Sequence, residues 1–216
     1  MEEQQALADL RNAVVSGDMD STASLAEAAL TQGVGAAEIL NGVLIPAMDE
    51  VGTRYESGEL FVPEMLVAAE AMKRALNVLR PLLMEEGIQP EGRVVIGTVE
   101  GDLHDIGKDL VAMLLEGAGF EVTNLGVEVT ASQFVEAVRE YGPDIVAMSA
   151  LLTTTMIRMP EVVSALTAAG LRDQVRVIVG GAPLSASYAE EIGADGYAPD
   201  AASAVKLARR LAVALS

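Results

Sequence analysis

The chain has 216 residues, 51% of them hydrophobic, which is enough for one large domain or two modest ones with a buried core. Its 32 acidic and 14 basic side chains leave a formal charge of −18, which repels phosphate backbones and anionic lipid and argues against nucleic-acid or membrane-surface binding. With no cysteine, disulfides and thiolate metal sites are excluded; no apolar run reaches a spanning length, the N-terminal MEEQQALADLRNAVV has no signal-type apolar core, and a cytoplasmic protein is the expectation.

Up to about residue 88 apolar side chains recur at helical spacing and β-branched runs are scarce. QQALADLRNAVVSG (4–17), DSTASLAEAALTQG (20–33), AAEILNGVLIPAMDEVGTRYESG (36–58) and VPEMLVAAEAMKRALNVLRPLLMEEG (62–87) each read as one helix. Gly17, Gly33, Gly58 and Gly87 stand where these helices should stop, and Pro63 stands near the start of the fourth. Four helices with short connections predict a small bundle. GIQPEGR (87–93) reads as a linker, which gives a helical domain over 1–88 and a second domain over 89–216.

Beyond the linker the rhythm becomes strand, loop, helix. RVVIGTV (93–99), EVTNLG (121–126), DIVAMSA (144–150), VRVIVGG (175–181) and DGYA (195–198) are the predicted strands, and helical patterns follow at 105–118, 131–142, 157–170, 184–193 and 200–215. The first, third and fourth strands are near-continuous apolar runs, as parallel strands covered on both faces require. The alternation predicts an α/β domain with a doubly wound, flavodoxin- or Rossmann-like sheet of five parallel strands. With strand order 2-1-3-4-5, ligands bind between the loops after the first and third strands, here EGDLHDIGK and SALLTTT.

The first of those loops holds the only histidine, His104, two residues after Asp102. The plain reading is a surface histidine with Asp102 or Asp105 as a helix N-cap. The loop lacks the glycine spacing of a phosphate cradle. A carboxylate two residues from an imidazole can orient the ring and strengthen it as a donor. One histidine without cysteine is too few ligands for zinc, but it can supply one axial ligand to a metal whose other positions a macrocycle fills.

DLHDIG (102–107) resembles the DxHxxG signature of cobalamin-binding domains, and SALLTTT (149–155) and VGG (179–181) resemble the SxL and GG motifs that follow it. VGTRYESGELFVPEMLVAAEAMKRAL resembles the helical cap that precedes this domain in methionine synthase and in the small corrinoid proteins of methyltransferase systems. The likeness covers nearly the whole chain and implies a corrinoid methyl carrier with cobalamin as cofactor, cycling between cob(I)alamin and methylcobalamin. It implies His104 as the axial cobalt ligand in a base-off, His-on arrangement, with Asp102 accepting from the other ring nitrogen and Thr155 extending the relay where methionine synthase has a serine.

The same likeness places Gly101, Leu103, Asp105, Ile106 and Gly107 against the corrin and the tail. Ser149, Leu151 and Thr153 would line the nucleotide slot, with Gly180 and Gly181 letting the backbone approach it and Tyr197 and Ala201 edging the corrin. Phe61 and Met65 would cover the methyl face, although a Phe and a Met at this spacing also suit bundle core. Implied partners are a substrate:corrinoid methyltransferase, with a methylamine, methanol, betaine or methoxy-aromatic donor, a corrinoid:acceptor methyltransferase and a reductive activator. A mutase subunit and a cobalamin-sensing regulator are the alternatives. Mutases join the motif to a catalytic barrel of about 250 residues, for which there is no room, and the regulator needs a DNA-binding segment that this acidic chain does not suit.

Overall fold

The structure is a computed structural model that describes residues 2–86 and 90–213. Two compact units emerge, Met1–Gln89 with Glu116–Gly119, and Pro90–Leu115 with Phe120–Ser216. Residues 87–89, within the expected linker and at the expected domain boundary, and residues 214–215 of the last expected helix lie outside the described residues.

The helical unit contains α1 (Glu2–Ser16), α2 (Thr22–Thr31), α3 (Ala36–Ile39), α4 (Ile45–Glu56) and α5 (Val62–Glu85). The third predicted helix is interrupted by a π turn over Leu40–Leu44, where the Ile45 N–H skips one residue and donates to the Leu40 carbonyl. The cause is Pro46, which has no N–H and whose ring would strike a carbonyl four residues back in a regular helix. Alanines 26, 29, 47, 68, 71 and 75, all buried, let the helices approach closely around Leu10, Val14, Leu44, Met72 and Leu79. Gly17 ends α1 at φ 71° with α5 so near that a Cβ would lie 2.5 Å from Val67 Cγ2. At the start of α5 the Glu64 carboxylate accepts the Phe61 N–H at 2.7 Å, half of a capping box. Among the described residues, no helix is long and apolar enough to cross a membrane.

The second unit runs β1 (Arg93–Thr98), α6 (Ile106–Gly117), β2 (Glu121–Asn124), α7 (Ala131–Tyr141), β3 (Ile145–Ser149), α8 (Thr153–Met156), α9 (Met159–Ala168), a 3-10 turn at Arg172–Gln174, β4 (Arg176–Gly180), α10 (Ala186–Glu191), β5 (Gly196–Ala198) and α11 (Ala201–Val213). The sheet is fully parallel in the order β2-β1-β3-β4-β5, as expected. Where the sequence suggested a loop through the third threonine of SALLTTT, the structure adds the one-turn helix α8, and α9 starts two residues later than predicted. Three consecutive β-branched residues carry little helix propensity, so the tertiary setting rather than the local sequence winds this turn.

One face of the sheet buries Val95, Val146, Met148, Val177 and Val179 against Phe134 and Val138 of α7 and Val162 and Leu166 of α9. A Thr130–Gln133 capping box starts α7, and Gly142 ends it at φ 54°. Gly97 makes room for Phe134, since a Cβ there would lie 2.9 Å from its ring. The strand register brings Thr98, Ser149, Gly180 and Ala198 side by side at the carboxyl edge. Both loops singled out in the sequence leave from that row.

Replacing fully buried Phe134 by Ala should destabilise the α/β unit by about 3–5 kcal/mol, because the space it vacates lies between β1 and α7. Urea unfolding followed by tyrosine fluorescence measures this, since Tyr141, Tyr188 and Tyr197 all lie in that unit. A shift of the transition by under about 1 kcal/mol would show that Phe134 is not a core anchor.

Candidate functional site

The loop after β1 begins with a turn in which the Asp102 N–H donates to the Val99 carbonyl at 3.1 Å. Gly101 holds its third position at φ 82°, the left-handed conformation that glycine adopts without strain. The turn drives the Asp102 side chain inward, to 0% exposure.

There both carboxylate oxygens are fully engaged. Oδ1 accepts from the His104 N–H at 3.0 Å and pairs with His104 Nδ1 at 2.7 Å. Oδ2 accepts from the Leu151 N–H at 2.8 Å and from the buried Thr155 hydroxyl at 2.6 Å. Burial pushes the Asp102 pKa up. Hydrogen bonds from Thr155, from the Leu151 and His104 amides and from the His104 ring pull it down and prevail, holding the carboxyl well below the usual carboxylate range.

This fixes the state of the ring. An ionised carboxylate only accepts, so Nδ1 carries the proton, and in the neutral imidazole Nε2 is left with its lone pair. The ring is tied at one edge and half-exposed at the other. Nothing in the sequence alone required Thr155, 53 positions away, to meet Asp102; the α8 turn lifts it there.

The remaining sequence-selected residues fall into three groups. Leu103 and Ile106 are 66% and 85% exposed beside His104, with Gly107 opening α6 and the Asp105 carbonyl accepting the Asp109 N–H at 2.7 Å. Ser149 and Gly180 end β3 and β4, Leu151 and Gly181 follow them and Thr153 begins α8, while Tyr197 is on β5 and buried Ala201 begins α11. Gly181 has a local reason to be glycine: at φ 136°, a Cβ would sit 1.9 Å from the Ala150 carbonyl oxygen. Phe61 and Met65 belong to the helical unit, Phe61 being 67% exposed and Met65 1%.

Two profiles, each described as a B12 binding domain, match residues 92–206 and 6–80. The chain belongs to the B12-binding domain family. A trimethylamine corrinoid protein of Methanosarcina mazei is 43% identical over 213 residues, covering 96% of this chain and 98% of that one. A cobalamin-binding protein of Desulfitobacterium hafniense, solved as a crystal structure, is 33% identical with a TM-score of 0.79, covering 95% of this chain and 98% of its own. The methanol:cobalamin methyltransferase complex of Methanosarcina barkeri includes a chain that is 27% identical with a TM-score of 0.86, covering 97% of this chain and 80% of that one.

The donors present in this B12-binding domain fit such a cofactor. Among the described residues no three His, Cys, Asp or Glu side chains gather to hold a metal ion, so a metal held through His104 would have to bring its other ligands with it. Exposed Leu103, Leu151 and Leu152 on the two loops and Ile106 at the start of α6 offer apolar surface of the kind a macrocycle covers.

Sequence reading missed Thr98, whose buried hydroxyl donates to the His104 carbonyl at 2.9 Å, and the part played by the Leu151 amide, which holds Asp102. A polar residue ending an apolar strand was the available signal for Thr98; a backbone amide leaves none.

Asp102→Asn should test the pKa argument, because an amide puts a donor where two N–H or O–H groups already point. Since the folded-state pKa is depressed, Asp102 stabilises the fold above the unfolded value of about 4, and that contribution is lost as pH falls below it. Thermal melts across pH 7 to about 2 should show the variant less stable at neutrality, with the gap to wild type closing in acid. A gap that is constant with pH would contradict the ionised, hydrogen-bonded Asp102.

Proposed function

We propose that this chain is a corrinoid methyl carrier, holding cobalamin base-off with His104 Nε2 beneath the cobalt and passing a methyl group between separate methyltransferases. The observation that carries the reading is the pairing of Nδ1 with buried, ionised Asp102, which leaves Nε2 as the free donor at the mouth of the sheet crevice. When bound, cobalamin supplies a cobalt centre that takes a methyl group from a donor and yields it to an acceptor.

The residues of this chain set the conditions for that chemistry. Asp102 keeps the ring in one tautomer, and Thr155 and the Leu151 amide keep Asp102 ionised. A proton arriving at Nε2 converts the ring to an imidazolium, removes its lone pair and leaves Asp102 as the counter-ion. A proton at Nε2 would thereby take away the lone pair with which His104 would hold the cobalt. Leu103 and Ile106 would contact the macrocycle, and Ser149, Leu151, Thr153, Gly180 and Gly181 would border the slot for its nucleotide tail, with Tyr197 and Ala201 at the edge.

The relatives support a donor of the methylamine or methanol class, since the similar proteins include a trimethylamine corrinoid protein and a chain of a methanol:cobalamin methyltransferase complex. The implied partners are the substrate-specific methyltransferase, the acceptor methyltransferase and a reductive activator, all in the cytoplasm. With a charge of −18, the carrier would meet these partners through basic rims.

The test is to load the purified chain with hydroxocobalamin, remove free cofactor and compare the visible spectra of wild type and His104→Ala. Wild type should retain the cofactor with a base-off, His-on spectrum, and the variant should lose that spectrum with affinity at least about tenfold weaker. A wild type that retains no cobalamin, or a variant with an identical spectrum, would overturn the reading.

A further inference from the structure

The mechanism just described leaves one buried charge unused. Lys108, in the first turn of α6, has a side chain only 1% exposed. Its ammonium donates to Asp109 Oδ1 and, at 2.8 Å, to Asn124 Oδ1, and Asn124 Nδ2 closes the triangle onto Asp109 at 2.8 Å. The ammonium beside Asp109 holds that carboxyl below its ordinary range. Only the lysine end of this pair is removed from water, Asp109 being half-exposed, and a lysine so buried is held in one place by Asp109 and Asn124.

That geometry leads to His104. Asn124 Oδ1 also accepts the Gly126 N–H at 3.0 Å, which fixes the turn leaving β2. The Gly126 carbonyl then takes the Thr98 N–H at 3.0 Å, and the Thr98 hydroxyl donates to the His104 carbonyl at 2.9 Å. Two residues beyond Gly126, the Glu128 N–H donates to the Asp102 carbonyl at 3.2 Å. Glu128 makes this bond from φ 54°, a left-handed conformation that a glutamate adopts only under strain. The Asp102 carbonyl is thus gripped from the segment that Lys108 anchors, and the His104 carbonyl from Thr98, whose own N–H that segment accepts.

We propose that Lys108 is a positioning residue for His104: through Asn124 and the strained Gly126–Glu128 segment it sets the ring against Asp102. The inference deepens the site assigned above and rests on the carrier reading only for what Nε2 binds. It concerns the ring's own state, which is measurable without cofactor.

The lone histidine makes the test direct. In the apoprotein, at a pH where the imidazole is neutral, 15N NMR of His104 should show one nitrogen protonated and the other with a free lone pair, the signature of a single tautomer. In Lys108→Met the two shifts should move toward each other as the ring escapes Asp102. Asn124→Ala keeps the Lys108–Asp109 pair, and so the fold, while removing the link to Gly126, and it should show the same convergence. Arg172→Met, which breaks the ion pair with Asp195 at the opposite end of the strands, should lower the melting temperature without changing the ring. Retention of the wild-type signature in Asn124→Ala, or its loss in Arg172→Met as well, would overturn the proposal. Cobalamin affinity, measured in parallel, should fall about tenfold in both site variants. If wild type binds no cobalamin, the carrier reading fails, while the ring signature still decides the role of Lys108.

Discussion

An ionised carboxylate with no exposed surface is costly unless its lone pairs are filled, and Asp102 fills them with four donors from two loops. Two of those donors come from His104 and two from the segment after β3, so satisfying this one charge joins the first loop of the sheet to the third. The same bonds orient the imidazole. Local folding and site assembly are therefore a single requirement, and a chain that met one without the other would leave a buried charge unpaired.

The parallel sheet makes that joining possible. β1 and β3 are neighbours in register, with Thr98 opposite Ser149, so the residues after them emerge side by side although 51 positions separate Thr98 from Ser149. β4 and β5 extend the row with Gly180 and Ala198. The β2-β1-β3 order opens a crevice between the loops that leave β1 and β3, because their helices cross to opposite faces of the sheet. His104 stands at that crevice because of where its strand lies, and Asp102 then decides which way its ring faces.

Much of this could be read from the chain. Apolar runs marked the strands, glycines marked helix ends, and the pairing of a lone histidine with Asp102 pointed to the loop after β1. The Thr155 hydroxyl was anticipated from a resemblance rather than from its own surroundings; nothing local in three consecutive threonines says which one turns inward. The π turn at Leu40–Leu44 went unseen because helical periodicity averages over one extra residue, although Pro46 was the available cue. Lys108 was invisible for another reason. On a helical pattern a lysine reads as solvated, and only the position of Asn124 on β2 shows that it is buried and paired.

The contrast between the two edges of the imidazole carries a last step of argument. The bonds that tie His104 into the loop meet Nδ1, its backbone amide or its backbone carbonyl, and none of these is Nε2. A ligand can therefore join or leave Nε2 without breaking a bond that the fold needs. Protonation at Nε2 leaves Asp102 with all four donors, so it does not melt the loop. A histidine whose exchangeable edge also held the structure would couple ligand exchange to local unfolding; here the bonds to Asp102 and from Thr98 hold the loop, and the outer edge of the ring carries none of them.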